Sequence, residues 1–149
     1  MKQRIYLDTS VISALGDARA PDRLTFTREF FARIADFDAS TSDLARAEIE
    51  GTRDPARRAE MLRELDRLSL LRVTDESRNL AAKYLAAAVF PASVPEDALH
   101  VAVAVLARQD VLVSWNFKHL VNQRRRAAVD AINLSLGLPT IAILAPPEI

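Results

Sequence analysis

Cysteine is absent from the 149-residue chain. That absence excludes a disulfide scaffold, thiolate metal ligands and cysteine nucleophiles together, and it accords with a reducing cytoplasm. Glycine occurs three times and proline seven times, too seldom for a loop-rich or disordered chain. Aromatic residues supply only 6% of positions, so alanine, leucine and valine must fill most of the interior. Long apolar runs are also lacking. The longest mostly apolar stretch, Ala98 to Ala107, contains His100 and is too short to span a bilayer. Met1-Lys2-Gln3-Arg4 is followed by only a few apolar residues before Asp8, too few for a signal peptide. These absences lead to the expectation of a cytoplasmic protein with no membrane association. Neither sign of charge is in excess, with 20 basic and 20 acidic residues. A nucleic-acid binder is usually basic overall, so any grip on a polyanion must here be local, and attraction over long range weak.

What is present fits one domain, residues 1–149, of which 50% is hydrophobic. Arg4-Ile5-Tyr6-Leu7 reads as a short strand ending at Asp8. Thr9 and Ser10 are N-cap residue types for a helix through Val11, Ile12 and Leu15 that Gly16 can end. Phe26, Phe30, Ile34 and Phe37 recur at helical spacing and predict a core-facing stripe. Ala39-Ser40-Thr41 reads as a very short strand. Ser42 or Asp43 caps a helix carrying Leu44, Ala47, Glu48 and Ile49 up to Gly51. Asp54-Pro55 opens a helix with Ala59, Leu62 and Leu65 on its apolar face. Leu70 to Val73 predicts a strand, and Thr74 or Asp75 caps a helix with Leu80, Tyr84 and Leu85. After breaks at Pro91 and Pro95, Glu96-Asp97 begins an Ala/Val-rich helix to about Arg108. Val111 to Ser114 is the clearest buried strand, a basic helical region follows, and a break spans Asn133 to Pro139. Ile141 to Leu144 is the last strand.

Strands separated by helices, apolar throughout rather than alternating, predict an α/β three-layer sandwich: a central parallel sheet of four to five strands flanked by helices. Such sheets place their sites beyond the carboxyl ends of the strands. Asp8 and Asn116 fall just past two of those ends, and Glu48 and Asp97 lie in nearby helices. Each has an ordinary explanation alone: an N-cap for Asp8, a solvated helix face for Glu48, a dipole-complementing first turn for Asp97. Gathered together, carboxylates repel by roughly 4 kcal/mol per close pair. A divalent cation with a preference for oxygen ligands, Mg²⁺ or Mn²⁺, removes that cost. It also activates water and neutralises charge in phosphodiester hydrolysis.

Four segments carry a family resemblance. Ile5-Tyr6-Leu7-Asp8-Thr9-Ser10-Val11-Ile12 resembles the opening of a PIN domain. Ser42-Asp43-Leu44-Ala45-Arg46-Ala47-Glu48-Ile49-Glu50-Gly51 is similar to the second block, in which a helical Glu precedes a glycine. Asp97-Ala98-Leu99-His100-Val101-Ala102-Val103-Ala104 resembles the third, an Asp opening an alanine-rich helix. Val111-Leu112-Val113-Ser114-Trp115-Asn116-Phe117-Lys118-His119-Leu120 is similar to the fourth, where a strand runs into Ser/Thr and Asp or Asn. The blocks stand in the family's order.

The resemblance, to PIN ribonucleases of the VapC toxin type, implies a metal-dependent endoribonuclease using Mg²⁺ or Mn²⁺. It implies Asp8 and Asp97 as direct metal ligands, Glu48 at a second metal or its water, and Ser10, Ser114 and Asn116 in support. It further implies an antitoxin partner that reaches into the acidic pocket, often with an arginine, and a homodimer. The departure lies at Asn116, where many relatives carry Asp, and at His119, where some carry a further Asp. Three acids instead of four leave occupancy by a second metal open.

Lys118, His119 and Arg124-Arg125-Arg126 follow the fourth block and are candidate contacts to RNA phosphates, or a solvated face. Arg46, Arg53, Arg57 and Arg58 form a second basic bank. Trp115 can stack a base or pack in the core. His100, three residues after Asp97, can share its helix face; a buried, hydrogen-bonded histidine is the simpler reading. A phosphoacceptor receiver domain needs paired acids after the first strand and Lys-Pro after the last, and the chain has Asp8 alone and Ala145-Pro146. A Rossmann nucleotide binder needs a glycine-rich turn that Asp8-Thr9-Ser10 does not provide. A PIN fold that binds RNA without turnover remains the alternative.

Overall fold

A computed structural model describes residues 1–149. Five strands, β1 (Arg4–Leu7), β2 (Asp38–Ser42), β3 (Ser69–Leu71), β4 (Val111–Val113) and β5 (Ala142–Leu144), form one sheet in the order β3-β2-β1-β4-β5. Every pairing is parallel. Seven α-helices connect them: α1 (Thr9–Ala14), α2 (Pro21–Ala32), α3 (Asp43–Glu50), α4 (Pro55–Leu65), α5 (Asp75–Ala86), α6 (Pro95–Leu106) and α7 (Gln123–Ser135). The expected α/β sandwich is the observed one.

The strand order explains where a site can form. From β1 the chain steps outward to β2 and β3, then crosses back to β4 and β5 on the other side of β1. Right-handed crossovers running in opposite directions put α1–α4 on one face and α5–α7 on the other. Contacts of α1 with α2, α3 and α4, and of α5 with α6, agree with that division. The connections therefore diverge between β1 and β4, leaving a crevice beyond their carboxyl ends. These two central strands are covered on both faces, so Ile5, Tyr6, Leu7, Val111, Leu112 and Val113 are all buried. The edge strand β3 exposes Leu70 instead.

Several local expectations are corrected. Asp8, not Thr9 or Ser10, caps α1, accepting from the Ser10 backbone at 3.0 Å. Of the four-residue stripe, Phe30, Ile34 and Phe37 pack in or against the core, although α2 ends at Ala32 and Ile34 lies in a 3-10 turn. Phe26 is 43% exposed, while Phe30 and Phe31 enter the core. On α4 Met61 and Leu65 face inward and Ala59 faces solvent. β3 begins at Ser69 and ends at Leu71. Asn133 belongs to α7, not to a break.

Asn133 is fully buried, and Tyr84 of α5 donates its hydroxyl hydrogen to the Asn133 side-chain carbonyl. This polar tie fixes α7 against α5 inside an apolar interface. Tyr84→Phe leaves a buried carbonyl unpaired and costs about 1–3 kcal/mol. Urea denaturation should show a lower midpoint at an unchanged m value.

Candidate active site

The parallel ladder continues one residue past β1, where the Asp8 backbone N–H donates to the Val113 carbonyl at 3.2 Å. That register sets Asp8 beside Ser114. The Ser114 hydroxyl donates to Asp8 Oδ2 at 2.5 Å, and the Ser10 hydroxyl donates to Asp8 Oδ1 at 2.5 Å. Both hydroxyls are themselves anchored. Ser10 Oγ accepts from the Trp115 backbone and Ser114 Oγ from the Asn116 backbone, each at 2.9 Å. The hydroxyl residues thus aim Asp8 and tie the α1 start to the β4 exit.

Asn116 joins the second carboxylate. Its Nδ2 donates to Asp97 Oδ2 at 3.3 Å, and its Oδ1 accepts from the His119 backbone at 3.0 Å. Asp97 lies in the first turn of α6, which Pro95 opens. Asp8 is buried, and burial is the main cause that raises its pKa, opposed by His100 and by the Ser10 and Ser114 bonds. Burial also raises Asp97, the charge of Asp8 adds to it, and His119, His100 and Asn116 oppose it. The charge of Asp8 thus adds to the cost of ionising Asp97, a cost that a bound cation would relieve.

Glu48 stands on α3 and meets a histidine. Glu48 Oε1 and His100 Nε2 lie 2.7 Å apart, with the carboxylate side chain 36% exposed and the ring buried. Asp8, Ser10, Asp97, Ser114 and Asn116 therefore form one connected group, and Glu48 stands outside it, bonded to His100, whose other ring nitrogen faces Tyr6. No three acidic or histidine side chains close on a single point as a ready-made ligand cluster. His100 is the buried, hydrogen-bonded histidine that its place in the apolar helix predicts, and its partners are Tyr6 and Glu48.

The basic residues divide. Lys118, Arg124 and Arg125 line a cavity of about 720 Å³, together with Asn122 and an apolar wall that includes Val89 and Phe90. Arg125 stacks over the Phe90 ring at 5.0 Å. Burial lowers its pKa, Arg124 lowers it further, and Asp97 opposes the shift; Lys118, two residues past Asn116, brings the cavity next to the site. Arg126 turns aside to Glu148 at 3.5 Å. The His119 ring stays near Asp97 and lines no part of this cavity. In the other bank, Arg46 pairs with Glu50 at 3.1 Å, and Arg57 and Arg58 donate to the Ser13 and Thr52 carbonyls. Trp115 is buried and donates to Thr27 Oγ1 at 2.9 Å, so it packs in the interior.

The PIN domain family profile matches residues 5–118, and the chain belongs to that family. No curated protein sequence matches it. Among solved structures it resembles the Mycobacterium tuberculosis toxin VapC20, which cleaves the sarcin-ricin loop. Identity is 20%, TM-score 0.59, and the match covers 77% of this chain and 92% of that one. A toxin–antitoxin complex from Klebsiella pneumoniae matches at 14% identity and TM-score 0.59, covering 81% and 93%. DNA-bound VapBC from Salmonella typhimurium matches at 15% identity and TM-score 0.56, covering 97% and 98%. The shared property is the fold.

Proposed function

We propose that this PIN domain is a divalent-metal-dependent endoribonuclease acting as the toxin of a toxin–antitoxin pair in the cytoplasm. The observation that carries the reading is the Asp8–Asn116–Asp97 group at the divergence of β1 and β4, beside a cation-lined cavity. The resemblance to a toxin that cleaves the sarcin-ricin loop supports RNA as the substrate class. The likeness to toxin–antitoxin complexes supports an antitoxin partner.

The donor set suits Mg²⁺ or Mn²⁺. It consists of hard oxygen atoms, it includes carboxylates whose charge burial disfavours, and Asp97 Oδ1 accepts no hydrogen bond from the protein. Asp8 and Asp97 would hold the ion directly and Glu48 a second ion or its water. When bound, the ion supplies an activated water and counter-charge for the phosphate. Ser10 and Ser114 keep Asp8 in one orientation, and Asn116 does the same for Asp97. Lys118, Arg124 and Arg125 hold substrate phosphates and set the RNA against the acids.

Cleavage of a structured RNA should require Mg²⁺ or Mn²⁺ and yield 5′-phosphate and 3′-hydroxyl ends; unchanged cleavage in excess chelator defeats the reading. Chelator-resistant RNA binding with no cleavage under any metal condition would leave the binding-module alternative. Replacing Lys118, Arg124 and Arg125 together by Ala should raise KM far more than it lowers kcat. The slope of log affinity against log salt should shrink by up to about 2, at roughly 0.7 per phosphate contact on single strands. Fluorescence anisotropy across a salt series measures it. A homodimer is also expected, and light scattering that shows only monomer at high concentration removes it.

A further inference from the structure

Both nitrogens of the buried His100 ring are engaged. Nε2 faces Glu48 Oε1 at 2.7 Å, and Nδ1 faces the Tyr6 hydroxyl at 2.6 Å. Tyr6 OH lies 2.7 Å from Ser42 Oγ, and Ser42 Oγ accepts from the Ala45 backbone at 3.2 Å as the N-cap of α3. Tyr6 and Ser42 are fully buried, so each hydroxyl hydrogen needs an acceptor within the protein. An ionised carboxylate only accepts, which makes Nε2 the donor and leaves Nδ1 to accept from Tyr6. Tyr6 oxygen then accepts from Ser42, and every hydrogen in the chain is used. Run in the opposite direction, the chain would strand the Ser42 hydrogen with no acceptor.

We propose that His100 is a positioning residue that fixes the Glu48 carboxylate toward Asp8 and Asp97, its tautomer set by Tyr6 and Ser42. This rests on the reading of Glu48 as a metal-side carboxylate. A glutamate late in a helix and one-third exposed otherwise samples many rotamers. Glu50, two residues on, illustrates the difference: it pairs with Arg46 in solvent. His100 lies one helical turn after Asp97 on α6, and its partner Tyr6 lies two residues before Asp8 along β1, so the chain of bonds runs beside both acids. The chain also closes on α3 twice, at its cap through Ser42 and at Glu48, so the helix and its carboxylate are placed by one set of bonds. Partners of this kind orient ligands and tune metal affinity.

The two amide isosteres of histidine separate this role from packing. The Nε2 of glutamine can stand where the ring Nε2 stands, whereas asparagine reaches only the Nδ1 position. Calorimetric titration with Mn²⁺ should find His100→Gln within about threefold of the unmodified protein and His100→Asn weaker by roughly 10–100-fold, the usual effect of losing such a partner. RNA cleavage by His100→Asn should recover at saturating Mn²⁺, which general damage to packing would not allow. Equal Mn²⁺ affinity in the two variants overturns the proposal. Should both fail to fold, Tyr6→Phe reads the same chain by removing only the hydroxyl. A weaker Mn²⁺ affinity then supports the role, and an unchanged one overturns it. Asp97→Asn is titrated in parallel. If it binds Mn²⁺ as the unmodified protein does, the metal reading itself fails, whereas its loss alongside equal His100 variants removes only the positioning role.

Discussion

Asp8→Asn and Asp97→Asn should each lower RNA cleavage by at least on the order of 100-fold, the upper range for losing a mere supporting partner, while the protein stays folded. Both carboxylates are placed by hydrogen bonds that an amide of the same shape largely keeps. What is lost is negative charge at the point where a cation would sit. The folded protein should even gain from that loss in the absence of metal. Burial raises the pKa of both groups above the ordinary carboxylate value of 3.8. Between that value and the raised one, the folded state holds more protons than the unfolded state, so stability declines as pH rises. Below 3.8 the groups are protonated in both states and the penalty vanishes. Melting curves in chelator should therefore show Asp97→Asn matching the unmodified protein at low pH and exceeding it at neutral pH. Added Mn²⁺ at about 100 times its Kd should stabilise the unmodified protein by about 2.7 kcal/mol and the variant by much less. Equal Mn²⁺ stabilisation of both proteins would contradict this account.

Asn116→Asp should push stability and metal affinity in opposite directions. Asn116 Nδ2 currently donates to Asp97 Oδ2 at 3.3 Å, and its Oδ1 accepts from the His119 backbone. A carboxylate keeps the second bond and replaces the first with a like-charge contact, which costs on the order of a few kcal/mol in a protein-like dielectric. Without metal the melting temperature should fall. With Mn²⁺ the added charge joins those of Asp8 and Asp97, so binding should tighten and the metal requirement shift to lower concentration. Asn116→Ala, by contrast, removes the donor that orients Asp97, so it should lose activity and weaken Mn²⁺ binding. Calorimetry on both variants measures the pair of effects; an unchanged Mn²⁺ affinity in Asn116→Asp would mean that this side chain does not face the ions.

Asp8 and Asn116 were legible because each follows a strand that is apolar throughout, and in a parallel sheet strand ends define the site. The apolar strands were legible for the same reason, whereas polar β2 carries no such run, and strand ends were misplaced by a residue or two where exposed edges such as Ser69 carry no apolar signal. The Phe26 to Phe37 stripe holds at Phe30, Ile34 and Phe37, which reach the core, and fails at Phe26, which is exposed within α2 itself. Arg125 and Arg126 look equivalent in a run of three arginines, yet successive residues on a helix point about 100° apart, which sends one to the cavity and the other to Glu148. The His100 chain was beyond reach for a deeper reason. Tyr6 is 94 residues from His100 and Glu48 is 52, and no local pattern encodes a bond between two buried polar groups so far apart.

The crossing back from β3 to β4 has a consequence in time. Asp8 and Ser114 are 106 residues apart along the chain, and Asp97 and Asn116 also come late. During synthesis at roughly 5–20 residues per second, Asp8 therefore waits on the order of 5–20 seconds for its partners to be made. A ribosome carrying the first hundred residues holds a nascent chain whose outer strands can pair but whose cleft does not yet exist. On the proposed ribonuclease function, no complete site exists beside the ribosome until β4 has been made. The interval before release is the earliest at which an inhibitor would be needed.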